Sequence, residues 1–365
     1  MDLPLSPPIK PMLAKAVHEV PRAEGLLYEP KWDGFRCIVF RDGPEVELGS
    51  RNDRPLTRYF PEMPGPLRAT LPDRCVVDGE LVLVRHDGLD FDALQQRIHP
   101  AASRIAMLAE ATPASFVAFD LLALGDRDLT GEPFAERRRL LESAIVGRHP
   151  RIHVSPITDD PDRAEDWFRR FEGAGFDGVM AKPADGRYVQ GKRTMWKVKH
   201  ERTADVVVAG FRWHKDGEGV GSLLLGLYDD RGELHHVGVA SSFSAARRRE
   251  LVGEIAPLRA DALDGHPWRS WAIAEAHDGQ RRMPGTPSRW NGQKDLTWEP
   301  LRIERVVEVR YEGLLNGRFR ATTRMVRWRP DKTPPECRFD QLEQVAPAEL
   351  TAIFPEASAA PPALT

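Results

Sequence analysis

The stretch Glu29-Pro30-Lys31-Trp32-Asp33-Gly34-Phe35-Arg36 fixes one lysine two residues before an Asp-Gly pair and beside an aromatic residue. A lysine is nucleophilic only in its neutral form, so a site must lower its pKa from about 10.4 by burial or by nearby positive charge. Tyr28 and Trp32 offer apolar bulk, and Arg36 offers a neighbouring cation. The stretch therefore predicts that Lys31 is a covalent nucleophile, although a solvated turn before a strand can carry the same short pattern.

The composition favours a globular chain with two domains. The chain has 365 residues, of which 41% are hydrophobic and 29% charged, and this length allows two separate cores. No run approaches the 18 or so apolar residues that a membrane span requires, and the N-terminus lacks the features of a signal peptide. The three cysteines lie far apart, which excludes a zinc ribbon and suggests a reducing compartment. We therefore expect a cytoplasmic protein with no membrane partner.

The charge balance alone does not indicate nucleic-acid binding. The chain has 52 basic and 55 acidic residues, whereas a domain that binds nucleic acid through its net charge is strongly basic. Residues 310–338 are locally basic, with eight arginines and lysines against three acidic residues. This stretch either faces phosphates or is a solvated basic strand face.

The segment around Lys31 predicts a sheet with a ligand site at its mouth. Residues 36–48 alternate as a hairpin that turns at residues 42–44. Loops that meet strands at the mouth of a sheet commonly bind ligands. Arg51 follows the returning strand, so we expect its side chain to point toward the same opening as Lys31.

Residues 76–84 read as a strand that two acids interrupt. The period of two places Asp78 and Glu80 on the same face. Two carboxylates inside an apolar strand are costly unless they are paired. A ribose hydroxyl, a metal ion or a plain salt bridge to an arginine could supply the pairing. The next strand, residues 116–122, contains Phe119, which by default is a core aromatic residue.

Two helices are predicted before a second group of charged residues. The first covers residues 134–143, and we interpret its run Arg137-Arg138-Arg139 as a solvated face. The second covers residues 162–172, with Asp160 as its cap and Ala164, Trp167, Phe168 and Phe171 as its apolar stripe.

Asp177, Lys197 and Lys199 are candidates for binding a metal ion and phosphates. Asp177 starts the strand after the second helix, a position that suits a metal-binding carboxylate. Lys197 and Lys199 lie on one face of a later strand, about 7 Å apart, and can bracket a triphosphate while their field helps to keep Lys31 neutral. A surface lysine pair is the alternative interpretation.

Residues after 202 predict a small all-β unit. Short antiparallel strands are expected at residues 206–211, 223–228 and 234–239, a helix at residues 244–258 and late strands at 306–311 and 322–329. This pattern fits an OB-type barrel, a fold that binds nucleic acids. Residues 262–298 are expected to form a long loop, and nothing supports His235 and His236 as metal ligands.

The ordered set of motifs resembles the covalent nucleotidyltransferases, and most closely the short two-domain bacterial ATP-dependent DNA ligases. The matching motifs span nearly the whole chain, and together they are far more specific than any one of them. They are Lys31 to Gly34, Ser50 to Asn52, Asp78 to Leu81, Ala118 to Leu121, Asp177 to Lys182, Trp196 to Lys199 and Arg329 to Lys332.

The resemblance implies an α+β fold. It implies a nucleotidyltransferase (adenylation) domain of antiparallel sheets with flanking helices over residues 1–202, and then an OB-fold β-barrel domain over residues 203–340. Residues 341–365 are expected to form a short helix and an Ala/Pro tail. A hinge near residues 200–205 would have to open between reaction steps.

The resemblance also implies a mechanism and a set of site residues. Lys31 would attack the α-phosphate of ATP, with Mg²⁺ or Mn²⁺ held by Asp177 and by Glu80. The family usually carries Glu where this chain has Asp177, so contact with the metal could pass through water. The remaining nucleotide and phosphate contacts implied are Glu29, Arg36, Arg51, Glu80, Phe119, Arg193, Lys197, Lys199, Arg329, Asp331 and Lys332.

The implied partner is nicked double-stranded DNA, sealed by a monomer at the bacterial nucleoid in DNA repair. A repair polymerase or an end-binding protein is a candidate partner. The nearest rival functions are an RNA ligase and a capping guanylyltransferase, which use the same lysine chemistry. A nick-binding module that has lost catalysis is a rival of another class. An NAD-dependent ligase is disfavoured because the chain has no tetracysteine site.

Overall fold

The computed structural model describes residues 1–51, 55–85, 88–145, 149–273, 297–315 and 317–342. The described residues up to Lys199 form one compact unit, and those from His200 onward form a second. The predicted domain bounds, 1–202 and 203–340, stay a prediction. From residue 343 onward the predicted helix and tail lie outside the described residues. In the part of the chain that is described, no helix is long and apolar enough to cross a membrane.

The first unit contains two main sheets and five α-helices among its described residues. Its strands are β1 Leu13–Val17, β2 Leu26–Pro30, β3 Phe35–Asp42, β4 Glu45–Ser50, β5 Arg74–Val82, β6 Val84–Arg85, β7 Gly88–Leu89, β8 Ser115–Leu124, β9 Arg127–Asp128, β10 Ile152–Val154, β11 Val179–Pro183 and β12 Arg193–Val198. Its helices are α1 Pro64–Thr70, α2 Phe91–Gln96, α3 Ala102–Ala111, α4 Phe134–Ala144 and α5 Pro161–Arg170.

The two sheets confirm the predicted α+β plan with one difference in strand direction. One sheet has the order β1-β12-β11-β2, and the other has the order β10-β8-β5-β3-β4 with β9 paired to β8. Most pairs are antiparallel, as expected, but β1 pairs with β12 and β10 pairs with β8 in parallel. Both parallel pairs join strands that are distant in sequence, and hairpin patterns give no sign of such pairs.

The hairpin next to Lys31 is confirmed. β3 and β4 pair from Cys37 with Ser50 to Asp42 with Glu45. Gly43 makes the turn with a φ of +58°, a backbone conformation that glycine adopts without strain. The hairpin joins a buried cluster with β5 and β8, since Val39, Leu48, Val77 and Phe116 are all fully buried.

The helices confirm one prediction and correct another. α5 begins after Asp160, whose side chain accepts a hydrogen bond from the backbone N–H of Asp162. α4 matches the predicted helix, but Arg137 and Arg138 are buried, so the solvated face predicted for them is wrong. Both arginines pair with buried carboxylates on neighbouring strands, which a solitary run of arginines cannot reveal.

The second unit is a curved sheet with two helices among its described residues. Its elements are β13 Arg202–Trp213, β14 Val220–Tyr228, β15 Leu234–Ala240, α6 Ala245–Ile255, α7 Arg269–Ile273, β16 Glu299–Pro300, β17 Val306–Tyr311, β18 Leu314–Leu315, β19 Arg318–Phe319 and β20 Arg324–Trp328. The order is β15-β14-β13-β17-β20, with β16 beside β13.

Among the described residues, the edges of this sheet approach each other without closing a complete barrel. Ala240 of β15 makes a single bridge with Thr323, which immediately precedes β20. The predicted loop over residues 262–298 is corrected in its described part. Trp268 is only 1% exposed and packs in the core, and α7 follows it. Residues 274–296 of the predicted loop lie outside the described residues.

Gly178 lies between the backbone of Lys31 and the end of β12. Its φ is +130°, and a Cβ atom there would lie 1.9 Å from the carbonyl oxygen of Val198. Its own carbonyl accepts a 2.8 Å hydrogen bond from the backbone N–H of Lys31. Only glycine fits this conformation and this spacing.

We expect Gly178→Ala to lower the free energy of unfolding by at least about 3 kcal/mol, because backbone atoms would have to move. Gly65→Ala is the matched control, since Gly65 is exposed in α1 and has open space around its Cβ position. Its effect should stay within about 1 kcal/mol. Equal midpoints of chemical denaturation for the two variants would contradict the prediction.

His236 of β15 gives the second unit a pH dependence. Burial, with the nearby charges of Arg318 and Arg212, lowers the pKa of His236 to about 3. The unfolded chain takes up this proton near pH 6.5, so the folded state loses stability as the pH falls from about 6.5 toward 3. Above pH 6.5 the contribution is fully present.

Between pH 6.5 and pH 5 this loss is expected to reach about 1.4 kcal/mol per pH unit. His236→Gln should therefore flatten the pH dependence of the unfolding free energy in that window. His235→Gln, at the exposed neighbouring position, serves as the control. Its unfolding free energy should change with pH as steeply as that of the wild type. A His236→Gln slope identical to that of the wild type would show that His236 titrates normally.

Candidate active site

A cleft of about 310 Å³ opens between the two main sheets of the first unit. The four-stranded sheet contributes residues of β2, β11 and β12, and the other sheet contributes residues of β3, β5 and β8. The structure therefore brings most of the predicted site residues together. The predicted residues that line the cleft are Glu29, Lys31, Arg36, Arg51, Glu80, Phe119, Arg193, Lys197 and Lys199.

Lys31 is held by its backbone and by its side chain. Its N–H donates to the carbonyl of Gly178 at 2.8 Å, and its carbonyl accepts from the N–H of Asp177 at 3.0 Å. Its Nζ lies 2.5 Å from Oδ2 of Asp177. The Nζ atom of Lys199 lies 3.1 Å from the same oxygen, so one carboxylate is shared by two ammonium groups.

The charge state of Asp177 follows from these contacts. Burial raises the pKa of Asp177, but the ammonium groups of Lys31 and Lys199 lower it by more, so the pKa lies below the ordinary value. The carboxylate is therefore ionised at neutral pH. Asp177 is not one of the residues that line the cleft, but it contacts Lys31 and Lys199, which do. An ionised, mostly buried carboxylate in this position is a suitable ligand for a hard divalent cation.

Glu80 differs from Asp177 in the pKa of its carboxyl group. Burial raises the pKa of Glu80 to about 7, although Arg36 and Lys31 oppose the rise. Near pH 7 both the neutral and the charged form of Glu80 are populated, and a bound cation would favour the charged carboxylate. Both acids thus fit the oxygen chemistry of Mg²⁺ or Mn²⁺.

Asp78 forms a salt bridge with Arg36, which is one of the three pairings that the sequence pattern allowed for this strand. Arg36 donates to both oxygens of Asp78 at 2.6 Å, and the hydroxyl of Tyr188 donates at 2.7 Å. Asp78 is fully buried. The pair therefore fixes the guanidinium of Arg36 at the cleft, and of the two predicted acids only Glu80 lines the cleft.

Phe119 and Glu29 form the polar and aromatic end of the cleft. The guanidinium carbon of Arg36 lies 4.3 Å from the centre of the Phe119 ring, and Nζ of Lys182 lies 4.7 Å from it. Glu29 is 2% exposed and pairs with Lys182 and with Arg138. The arrangement supplies one aromatic face and one oriented carboxylate.

Sequence reasoning missed Lys182 and Arg138 as parts of this site. Lys182 closes the motif that begins at Asp177 and lines the cleft, so its position in the motif could have indicated it. Arg138 lies behind the wall, and its sequence context gives no such signal. Arg51 lines the cleft at the end of β4, while Asn52 of the same motif lies outside the described residues.

The predicted residues near the C-terminus lie in the second unit and form an ion cluster there. Arg329 donates to Asp205 at 2.8 and 2.9 Å and to Asp331 at 2.7 Å. The side-chain hydrogen bond from Arg329 lowers the pKa of Asp331 to about 2. Lys332 lies 3.9 Å from Asp205. The role of this cluster in nucleotide binding stays a prediction.

The cleft between the two sheets combines a paired lysine, two carboxylates, an aromatic face and several further cations. This combination is typical of the covalent nucleotidyltransferases. Residues 11–199 match the family described as ATP dependent DNA ligase domain. Residues 216–332 match the family described as ATP dependent DNA ligase C terminal region. The chain belongs to the ATP-dependent DNA ligase family, and ATP is its nucleotide substrate.

Two DNA ligases match this chain over nearly the full length of both proteins, and a third relative matches over part of its own length. The chain is 58% identical to DNA ligase C2 of Mycolicibacterium smegmatis, over 94% of this chain and 96% of that protein. It is 55% identical to DNA ligase C of Mycobacterium tuberculosis, over 97% and 99%. It is also 31% identical to a multifunctional non-homologous end joining DNA repair protein, LigD, of Mycobacterium tuberculosis, over 86% of this chain and 37% of that protein.

A solved structure shares the fold at lower identity. The match is to a Lig E DNA ligase, at 18% identity and a TM-score of 0.52, and covers 88% of this chain and 99% of that one. This similarity supports the overall architecture alone.

Asp177→Asn should strengthen the binding of metal-free ATP. The change removes the carboxylate that neutralises Lys31 and Lys199, so the polyphosphate meets two uncompensated cations. We expect the binding free energy of ATP to become more favourable by about 1 kcal/mol, which is roughly a fivefold lower Kd. Calorimetry in the presence of EDTA measures this Kd.

Asp166→Asn is the matched control, because it makes the same change of net charge at an exposed position of α5. Its Kd should stay within about twofold of the wild type, given the screening of exposed charges. Weaker binding of metal-free ATP by Asp177→Asn would contradict the electrostatic account of the site.

Proposed function

We propose that this chain seals 5′-phosphate/3′-hydroxyl nicks in double-stranded DNA through a lysyl-AMP intermediate. The observation that carries the proposal is the position of Lys31 in a cation-rich cleft, 2.5 Å from Asp177, in a chain of the ATP-dependent DNA ligase family. Lysine, an activating environment and phosphate-binding cations are what nucleotidyl transfer requires.

In the first step Nζ of Lys31 attacks the α-phosphorus of ATP. A P–N bond forms, the bond to the bridging oxygen breaks, and pyrophosphate leaves with that oxygen. Lys31 must lose a proton to solvent before it attacks, because Asp177 stays ionised as a candidate ligand of the cation. A divalent cation bound by Asp177 and Glu80 would supply neutralisation of charge on the phosphate oxygens.

The remaining residues of the cleft divide by the part of ATP that each would contact. Glu29 and Phe119 would hold the base, with Phe119 stacked on it. Arg36 and Arg193 would hold the ribose and the phosphates. Lys197 and Lys199 lie on one face at the end of β12 and would bind the phosphates.

In the second step AMP moves from Lys31 to the 5′-phosphate of the nick, and in the third step the 3′-hydroxyl displaces AMP. Arg51 would grip the 5′-phosphate, because it is exposed at the rim of the cleft. Arg329, Asp331 and Lys332 would orient the leaving pyrophosphate in the first step. The resemblance to an end-joining repair protein supports a role in DNA repair.

The proposal is tested by incubating the purified chain with ATP or GTP labelled at the α-phosphate and with Mg²⁺ or Mn²⁺. Label from ATP should remain on the wild type in a denaturing gel, and Lys31→Ala should lose it by more than about 1,000-fold, as expected for removal of a nucleophile. Lys15→Ala, at an exposed lysine of β1, should label like the wild type.

Unlabelled nicked DNA should then remove the label from the protein and yield sealed product. Retention of label by Lys31→Ala would refute the assignment of the nucleophile. Labelling from GTP alone would indicate capping chemistry, and labelling from ATP with no sealed DNA but with sealed RNA would indicate an RNA ligase.

A further inference from the structure

Arg138 lies on α4 behind the wall of the cleft. Its side chain is 6% exposed. Its guanidinium donates to Oε1 of Glu29 at 2.7 Å, to the carbonyl oxygen of Ser155, and to Glu142 at 2.7 Å. Three acceptors on three separate segments use the planar fork that only arginine provides. A lysine at this position could not satisfy them in the same geometry.

The contact with Glu29 gives Arg138 a route to the bound nucleotide. Glu29 lines the cleft, and its second oxygen pairs with Lys182. A carboxylate whose two oxygens each pair with a buried cation is fixed in orientation. Each carboxylate oxygen keeps a further lone pair, so Glu29 presents an acceptor to the cleft and no donor.

The contact with Ser155 holds Arg138 against the segment that follows β10. The indole N–H of Trp32 donates to the hydroxyl of Ser155 at 2.9 Å, and Trp32 follows Lys31 directly. Arg138 therefore contacts Glu29 directly but reaches Trp32 only through Ser155, at a different atom from the hydroxyl that Trp32 uses, so its direct effect falls on Glu29. Arg139, the next residue of the helix, is exposed and pairs only with Glu136 in the described contacts.

We propose that Arg138 is a positioning residue that sets the base selectivity of the nucleotide site. By fixing Glu29 as an acceptor, it makes the site favour a purine that carries a 6-amino group over a purine that lacks one. A site built to accept a hydrogen bond discriminates strongly against a ligand that cannot donate it. The inference rests on the proposed adenylation by ATP, in which Glu29 contacts the base.

The loss of Arg138 would leave Glu29 paired with Lys182 alone. Its carboxylate could then turn toward Lys182, and water could enter the space behind the wall. The ligand-facing acceptor would no longer be fixed, whereas Phe119 and the phosphate-binding cations would be unchanged. The expected defect is therefore specific to the amino group of the base.

The test compares ATP with purine riboside triphosphate, which has hydrogen in place of the 6-amino group. The rates and KM values of protein labelling, or of pyrophosphate release, are measured for both nucleotides. For Arg138→Ala we expect the KM for ATP to rise about tenfold, with kcat within about threefold of the wild type. The KM for the analogue should change by less than about threefold, so the preference for ATP falls by several-fold.

Arg139→Ala is the matched control and should keep the preference of the wild type. Arg138→Lys keeps a cation but not the fork, and its preference should fall between those of the wild type and Arg138→Ala. If Arg138→Ala does not fold, as judged by its thermal unfolding, Arg138→Lys decides the question alone. An unchanged ATP preference in Arg138→Lys would then overturn the proposal.

An equal loss of activity toward both nucleotides would also overturn it, because that result is expected of a residue that only stabilises the fold. This failure differs from a failure of the proposed function. If the wild type is labelled by ATP and the preference is unmoved in the variants, only the role of Arg138 is wrong. If the wild type is never labelled, the adenylation chemistry itself is wrong.

Discussion

The backbone pairing of Lys31 with residues 177 and 178 is the constraint on which the site depends. Two hydrogen bonds continue the ladder between β2 and β11 by one step past Pro30 and Val179. This extension places the start of the Lys31 side chain beside Asp177, and Nζ lies 2.5 Å from Oδ2 of that residue. Glu29 lies two residues earlier, near the end of β2, and the pleat places it about 7 Å away on the same side.

The two sheets of the first unit then contribute different chemistry to one cleft. The four-stranded sheet carries the lysines and Asp177, which suit phosphate and a cation. The other sheet carries Arg36, Glu80 and Phe119, which offer a cation, a second carboxylate and an aromatic face. Buried ion pairs contribute little net stability, because desolvation offsets their attraction. The pairs Arg36 with Asp78 and Arg138 with Glu29 are better explained as devices that fix side-chain orientation.

The sequence predicts structure well where an element depends on residues that are close together in the chain. The hairpin after Lys31, the cap of α5, the lysines at the end of β12 and most strands of the second unit could be predicted from residues close together in the chain. The parallel pair of β1 with β12 could not, because its paired residues, such as Leu13 and Arg193, are 180 or more positions apart. The burial of Arg137 and Arg138 was missed for the same reason, since their carboxylate partners lie on other strands.

The C-terminal cluster shows what a sequence motif leaves undetermined. In the described residues Arg329 is held by Asp205 and Asp331, so both sides of its guanidinium are already paired with carboxylates. A phosphate could bind Arg329 only by replacing one of them. Asp331 is the weaker competitor, because it is exposed and solvent screens its attraction, whereas Asp205 is mostly buried. The predicted contact with pyrophosphate would therefore retain the bond to Asp205 and exchange the bond to Asp331, and Asp205 would then support Arg329.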